Sequence, residues 1–159
     1  MTAPRWLTPS EQLAWRRTIA GAILLVDHLD RDLRNAHDLT LADYEILVHL
    51  SEAEDQRLRM ADLADAALVS RSRLTHRVNR LSSRGLAARE ACPTDKRGTF
   101  AVLTPDGKAL LERAAPTHVE SVRTHLIDQL DADDFETLGI LLGKIAVPLL
   151  EGSHPAWDI

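Results

Sequence analysis

Five helix-start signals divide the sequence. In each, a short polar side chain stands before a segment with apolar residues at helical spacing. The signals are Thr8, Thr40, Ser70, Thr104 and Asp131. Such side chains cap a helix by accepting a hydrogen bond from a first-turn backbone N–H. Pro9 and Pro105 follow two of them, at the first helical position, where proline is favoured. The sequence therefore predicts a mainly helical fold.

The stretch from Gly85 to Leu103 interrupts this helical pattern. Gly85 can adopt the left-handed conformation that ends a helix. After it, Leu86 to Ala91 and Thr99 to Leu103 are short segments that flank Pro93 to Gly98, which is rich in turn-forming and basic residues. This arrangement predicts a small β-hairpin with a basic tip.

Two predicted helices precede the hairpin and are joined by a tight turn. The first covers Met60 to Ala67, and Ser70 caps the second, which continues to Arg84. Leu74, Val78 and Leu81 lie at i, i+4 and i+7, so they should face the core. Two helices and a hairpin in this order indicate a winged helix-turn-helix between Thr40 and Leu103. The predicted fold class is mainly α with a small β-hairpin wing.

Charge is distributed very unevenly along the chain. The net charge is −5, but the stretch from Ser70 to Arg97 contains eight basic and two acidic side chains, a net +6, which leaves −11 on the remainder. A basic segment attracts nucleic acid, and an acidic remainder is repelled by it. The charge pattern therefore predicts double-stranded DNA as a partner and indicates which side of the protein faces it.

The exposed face of the second helix is the predicted DNA-reading surface. Side chains expected near base edges in the major groove are Ser72, Arg73, Thr75, His76 and Asn79. At the rim, Arg71, Arg80 and Arg84 are expected to contact phosphates. The hairpin tip adds Lys96 and Arg97, with Arg97 as the minor-groove candidate. An arginine-rich helix face alone is as often merely solvated. The basic hairpin beside it favours DNA contact.

Several motifs occur together at characteristic spacings. They are Leu39-Thr40-Leu41, Ser70 to Leu81, Gly85-Leu86, Asp95-Lys96-Arg97 and Leu103-Thr104-Pro105-Asp106-Gly107. In this combination the chain resembles the multiple antibiotic resistance regulator (MarR) family over nearly its whole length. The most specific elements are the Asp-x-Arg of the hairpin and the Leu-Thr-x-x-Gly that follows. The resemblance implies that Arg97 enters the minor groove. It also implies that Asp95 orients either Arg97 or an arginine of the second helix, which Ser70 caps.

The resemblance also implies an assembly. The expected protein is a homodimer whose first and last helices interlock, acting as a ligand-responsive repressor on a pseudo-palindromic operator. Residues 1–38 and 104–159 would dimerise and residues 39–103 would bind DNA, within one folding unit. A small-molecule effector, phenolic or anionic, is expected in a cleft between the dimer helices and the DNA-binding lobe. Candidate lining residues are Trp15, His28, His37 and Tyr44.

Other functional classes find little support in the residues. The sequence contains no glycine-rich phosphate-binding motif and no nucleophile or paired-histidine motif, so we expect neither an enzyme nor a cofactor. His118 and His125 lie two turns apart on one predicted helix, but they lack the further ligands that zinc needs. Cys92, the single cysteine, is expected to be a small apolar filler, although a redox role stays open.

The location and one alternative function follow from composition. No apolar run is long enough to cross a membrane, and the N-terminus lacks the pattern of a secretion signal, so a cytoplasmic location is expected. The acidic remainder leaves one alternative open: a helical protein-binding scaffold or anti-regulator that has kept the fold without binding DNA.

Overall fold

The computed structural model describes residues 3–92 and 95–150, with the side chains of residues 95–97 left undescribed. Within these residues, six α-helices and three strands form the fold. In chain order they are α1 (Pro9–His37), α2 (Leu41–Glu52), β1 (Arg57–Arg59), α3 (Met60–Ala66), α4 (Arg71–Ser83), β2 (Ala87–Cys92), β3 (Asp95–Leu103), α5 (Pro105–His125) and α6 (Ala132–Ala146). The mainly helical fold with a small hairpin is confirmed.

All five predicted helix starts are confirmed by their hydrogen bonds. Thr8 begins α1 in a capping box, because its hydroxyl accepts from the Glu11 N–H and its own N–H donates to the Glu11 carboxylate. Each of the other four caps also accepts from a first-turn N–H. They are Thr40, Ser70, Thr104 and Asp131. Gly85 has φ +73°, as expected for the residue that ends α4.

The sheet differs from the predicted hairpin in two ways. It has a third strand, β1, which pairs antiparallel with β3 at the edge of the order β1-β3-β2. In addition, β3 begins at Asp95 instead of Thr99, so strand covers part of the predicted loop from Pro93 to Gly98. Strand pairing is made by backbone groups, so it can extend into polar residues that show no hydrophobic alternation. Pro93 and Thr94 lie outside the described residues.

The last turn of helix α2 contains Ser51, and the helix ends at Glu52. The Ser51 hydroxyl donates to the Val48 carbonyl, 2.8 Å away, which satisfies both polar groups within the helix.

The hydrophobic core lies where α2, α3, α4 and the sheet meet. Its fully buried members are mostly leucines from these elements, and they include Ile46, Leu47, Leu50, Leu63, Leu74, Val78 and Leu81. Leu33 of α1 and Ala114 of α5 extend the same cluster to the long helices. The helix-turn-helix therefore rests on the same core as α1 and α5.

Helices α1 and α5 also meet through polar contacts. The Ser121 hydroxyl donates to Asp32 at 2.6 Å, and the ring of His125 lies 3.2 Å from the same carboxylate oxygen. His37 and Thr117 form a further hydrogen bond of 2.8 Å. These contacts join the two long helices along their packed faces.

Much of the apolar surface near the two ends of the chain is exposed. On α1 the exposed apolar side chains include Leu13, Trp15, Ile23, Leu24 and Val26. On α6 they include Ile140, Leu141, Leu142 and Ile145, and Gly143 is the one buried residue of that helix. A soluble monomer rarely exposes an apolar surface of this extent.

The start of α5 is held against the end of the helix-turn-helix. The Thr104 hydroxyl donates to the Gly85 carbonyl at 2.6 Å, and the Thr104 N–H donates to the Leu86 carbonyl at 3.3 Å. A Cβ added at Gly107 would lie 1.9 Å from the Leu86 carbonyl oxygen. The Leu-Thr-x-x-Gly motif therefore has a physical explanation: the threonine makes the contacts, and the glycine permits the close approach.

We predict that Gly107→Ala destabilises the fold by about 2 kcal/mol, because the new methyl group must displace backbone. The measurement is the free energy of unfolding in urea. Gly21→Ala is the matched control, because a Cβ at Gly21 on α1 would meet nothing within 4 Å. That variant should gain up to about 1 kcal/mol from higher helix propensity. Unchanged stability of Gly107→Ala would show that α5 does not depend on this close approach.

Candidate nucleic-acid interface

Helix α4 presents the predicted reading face to solvent. Its other face is fixed, because Leu74, Val78 and Leu81 are fully buried in the core. Several predicted site residues are exposed on α4, namely Arg71, Ser72, Arg73, His76, Asn79 and Arg80. Thr75 lies between the two faces and is partly buried. The helix therefore brings most of the predicted residues together on one accessible surface.

These residues differ in the hydrogen bonds and ion pairs that they form with the rest of the protein. Within the described residues, the side chains of Arg71, Arg73 and His76 have no hydrogen-bond or ion-pair partner. Asn79 accepts a hydrogen bond from Arg89 of β2 through its Oδ1, at 3.0 Å, which leaves its NH₂ group as a donor. The Thr75 hydroxyl donates to the Arg71 carbonyl within the helix, at 2.8 Å. Arg71, Arg73 and His76 therefore have the most freedom to bind a ligand.

Arg80 forms an ion pair with another residue of the protein. One of its guanidinium nitrogens lies 2.6 Å from both carboxylate oxygens of Asp43 on α2, and the same nitrogen lies 3.4 Å from the Thr40 hydroxyl. The Asp43 side chain is 1% exposed. A buried carboxylate needs a cation, so Arg80 cannot leave for a phosphate without a cost. The predicted phosphate role of Arg80 thus competes with an ion pair.

Asp43 is a residue that the sequence reasoning missed. The spacing from Thr40 predicts a helix cap, and the Asp43 N–H does bind the Thr40 hydroxyl at 3.0 Å. Its carboxylate, however, binds Arg80. The signal was present in the sequence, because Asp43 shares a helix face with Ile46, Leu47 and Leu50, all of which are buried. An acid on an apolar face indicates a partner from another element.

We predict that Arg80→Ala lowers the free energy of unfolding by about 2 kcal/mol, because it leaves the buried Asp43 carboxylate without its cation. Arg84→Ala is the matched control from the end of α4. Its partner, Asp38, is 98% exposed at a distance of 3.5 Å, so this variant should lose less than about 0.5 kcal/mol. Urea denaturation measures both. Equal losses for the two variants would contradict the assignment.

The hairpin tip contains three further predicted residues. The side chains of Asp95, Lys96 and Arg97 lie outside the described residues, so their roles remain predictions. The neighbouring strand contributes two cations that the prediction missed. Arg57 and Arg59 of β1 both pack on the ring of Phe100, at 5.3 and 5.5 Å from the ring centroid. The alternation Arg-Leu-Arg covers three residues, which is too short to predict a strand from the sequence.

A cavity of about 350 Å³ lies between α2, the α3–α4 turn and α5. Its walls combine polar and apolar side chains, and they include Tyr44, Glu45, Val48, His49, Leu68 and His118. Burial lowers the pKa of His118, which favours the neutral imidazole, and its buried Nδ1 has no hydrogen-bond partner among the described residues. Partial burial raises the pKa of Glu45, while the charges of His49 and Arg77 act to lower it.

The four residues predicted to line an effector cleft lie in different parts of the structure. Tyr44 lines this cavity, and its ring lies 4.5 Å from that of His118. His28 packs against His125, His37 binds Thr117, and Trp15 is exposed on α1.

No group of three potential metal ligands comes together within the described ranges. Cys92 is buried at the end of β2. None of the described helices is long and apolar enough to span a bilayer.

A short helix, a tight turn, an exposed basic helix and a β-hairpin beside it define a winged helix-turn-helix protein. The MarR family profile matches residues 37–98. The multiple antibiotic resistance protein MarR of Salmonella typhimurium is 30% identical over 119 residues, which are 75% of this chain and 81% of that protein. The chain therefore belongs to the MarR family, and the resemblance inferred from its motifs is confirmed.

Two solved structures from Streptomyces coelicolor are similar along almost their whole length. The MarR family transcriptional regulator Sco3205, in complex with DNA, is 44% identical, with a TM-score of 0.91 over 97% of this chain and 96% of that chain. AbsC, another MarR family transcriptional regulator, is 47% identical, with a TM-score of 0.87 over 92% of this chain and 98% of that chain. Both share the fold described above.

Proposed function

We propose that this protein is a cytoplasmic, sequence-specific repressor that binds double-stranded DNA as a homodimer. The observation that carries the proposal is the reading face of α4. There Arg71, Arg73 and His76 are exposed and have no partner among the described residues, while the opposite face is buried in the core. The crystallised DNA complex of Sco3205, 44% identical to this chain, supports it. These relatives are regulators, so they do not favour a protein-binding scaffold.

The exposed apolar surfaces of α1 and α6 support the dimer. Burial of this surface against a second copy would remove the apolar side chains from water, which is the main driving force for association. Residues 1–38 and 104–159 would form the dimer, and residues 39–103 would bind DNA. Two copies of α4 would then reach half-sites about 34 Å apart on a pseudo-palindromic operator.

Selection of genomic fragments by the purified protein tests the proposal as a whole. We expect recovery of a common inverted repeat and binding that weakens steeply with salt, because several phosphate contacts release counterions. Recovery of no common sequence, with binding that does not depend on salt, would support the scaffold alternative instead.

We predict that Arg97→Ala weakens binding to the selected operator by about tenfold while the dimer persists, because the minor groove loses an inserted cation. Electrophoretic shift measures affinity, and gel filtration measures the dimer. Arg123→Ala is the control, since Arg123 is an ion-paired residue of the last turn of α5, 2.8 Å from Asp128. Equal affinity of Arg97→Ala and the wild type would contradict the minor-groove role.

We also propose that the cavity beside Tyr44 binds the effector. A phenol fits its chemistry better than an aromatic carboxylate does. The phenolic O–H could donate to Nδ1 of His118, which has no partner among the described residues, whereas an anion would face the Glu45 carboxylate. Its ring would contact the apolar walls.

The position of this cavity suggests how an effector could act. Leu68 lines it and has φ +52°, an unfavourable conformation for leucine, within the turn between α3 and α4. A ligand that displaces Leu68 would therefore disturb the turn that sets α4. We propose that the effector lowers DNA affinity through this turn.

We predict that phenol binds wild-type protein more tightly than benzoate, a ligand with the same ring and a negative charge. Ligand-observed NMR measures both. His118→Leu removes the acceptor and should weaken phenol binding about fivefold, in keeping with the loss of one hydrogen bond. Tighter binding of benzoate, or no effect of His118→Leu, would contradict the assignment of this cavity.

A further inference from the structure

A groove of about 340 Å³ separates the start of α4 from the β-hairpin. Three elements form its walls. Strand β1 contributes Arg59, α4 contributes Arg71 and Thr75, and β3 contributes Gly98 and Thr99. The groove therefore lies between the two elements that the proposed function assigns to DNA reading.

The lining of this groove is positively charged. Arg59 and Arg71 are its charged side chains, and no acidic residue lines it within the described part of the chain. Arg59 lies opposite Phe100 in the strand register, and its guanidinium packs 5.5 Å from the centroid of that ring. The aromatic ring limits the conformations of the arginine, so less entropy is lost when Arg59 binds an anion. The Thr75 hydroxyl donates to the Arg71 carbonyl within α4, so Arg59 and Arg71 carry the positive charge of the groove.

DNA geometry determines what passes through this groove. If α4 occupies the major groove and the hairpin tip occupies the neighbouring minor groove, one sugar-phosphate backbone runs between them, because adjacent grooves of a duplex are separated by one strand. The space between the start of α4 and the hairpin must therefore straddle that strand. The two arginines stand where a phosphodiester passes.

We infer that this groove binds one backbone phosphodiester of the operator, and that Arg59 is a phosphate contact in addition to the cations of α4 and the hairpin tip. The inference rests on the proposed function and extends it. A phosphate held between β1 and α4 fixes the register of the protein on the duplex but reads no base. Its removal weakens binding to all sequences alike.

Arg57 provides a matched control on the same strand. It packs on the same Phe100 ring, at 5.3 Å, and forms an ion pair of 3.4 Å with Asp55. It does not line the groove. Arg57→Gln and Arg59→Gln thus remove the same charge and the same kind of ring contact, and of the two residues Arg59 lines the groove.

The first experiment measures operator affinity of the full-length protein against salt concentration. Arg59→Gln should make the slope of log K against log salt shallower by about 0.9, with roughly fivefold weaker binding at 0.15 M salt. Arg57→Gln should leave the slope unchanged, and Arg59→Lys, which keeps the cation, should restore it. Equal slopes for Arg59→Gln and wild type, or equal changes for both glutamine variants, would overturn the inference.

The second experiment replaces single operator phosphates by neutral methylphosphonates. At one position per half-site, the replacement should weaken wild-type binding about fivefold and should weaken Arg59→Gln clearly less, because one of the two arginines that line the groove is already absent. If Arg59→Gln fails to fold, Arg59→Lys takes its place and should retain the wild-type response at that position. The absence of any such position would overturn the inference. A wild-type protein that selects no operator would instead contradict the proposed function.

Discussion

The rotation of α4 about its own axis determines which side chains reach a ligand. Burial of Leu74, Val78 and Leu81 fixes that rotation, since any turn of the helix would expose them to water. The ion pair between Arg80 and Asp43 adds a directional restraint, because a buried carboxylate accepts its cation from one direction. Apolar burial therefore determines which face of α4 points to solvent, and the ion pair holds α4 in this orientation against α2.

Local chemistry explains why much of the fold could be predicted. The five helix starts follow from single residues and their neighbours, and Gly85 marks the end of α4 by its backbone conformation alone. Strand β1 could not be found in the same way. Three residues show too little alternation, and their pairing with β3 depends on a segment more than 40 residues away in the chain.

The sequence could predict which residues belong to the candidate site, but it could not predict their hydrogen-bond and ion-pair partners. The polar face of α4 follows from helical periodicity, whereas the partners of Arg80 and Asn79 depend on tertiary structure. The same limit applies to the groove at Arg59, which three separate elements form. Asp43 is the exception. Its position on an apolar helix face is visible in the sequence. Because a buried carboxylate needs a cation, that position indicates a partner on a basic helix.

The close contact between Gly107 and Leu86 has a mechanical consequence. The first turn of α5 is fixed to the chain that leaves α4, so the helix-turn-helix and this end of α5 move as one body. With 21 residues, α5 extends over roughly 30 Å, and Pro116 lies inside it. If α5 tilted by about 5° as a whole, its first turn would move by roughly 2.6 Å relative to its last turn. Such a tilt would move the DNA-reading helix by a distance comparable to the spacing of base pairs.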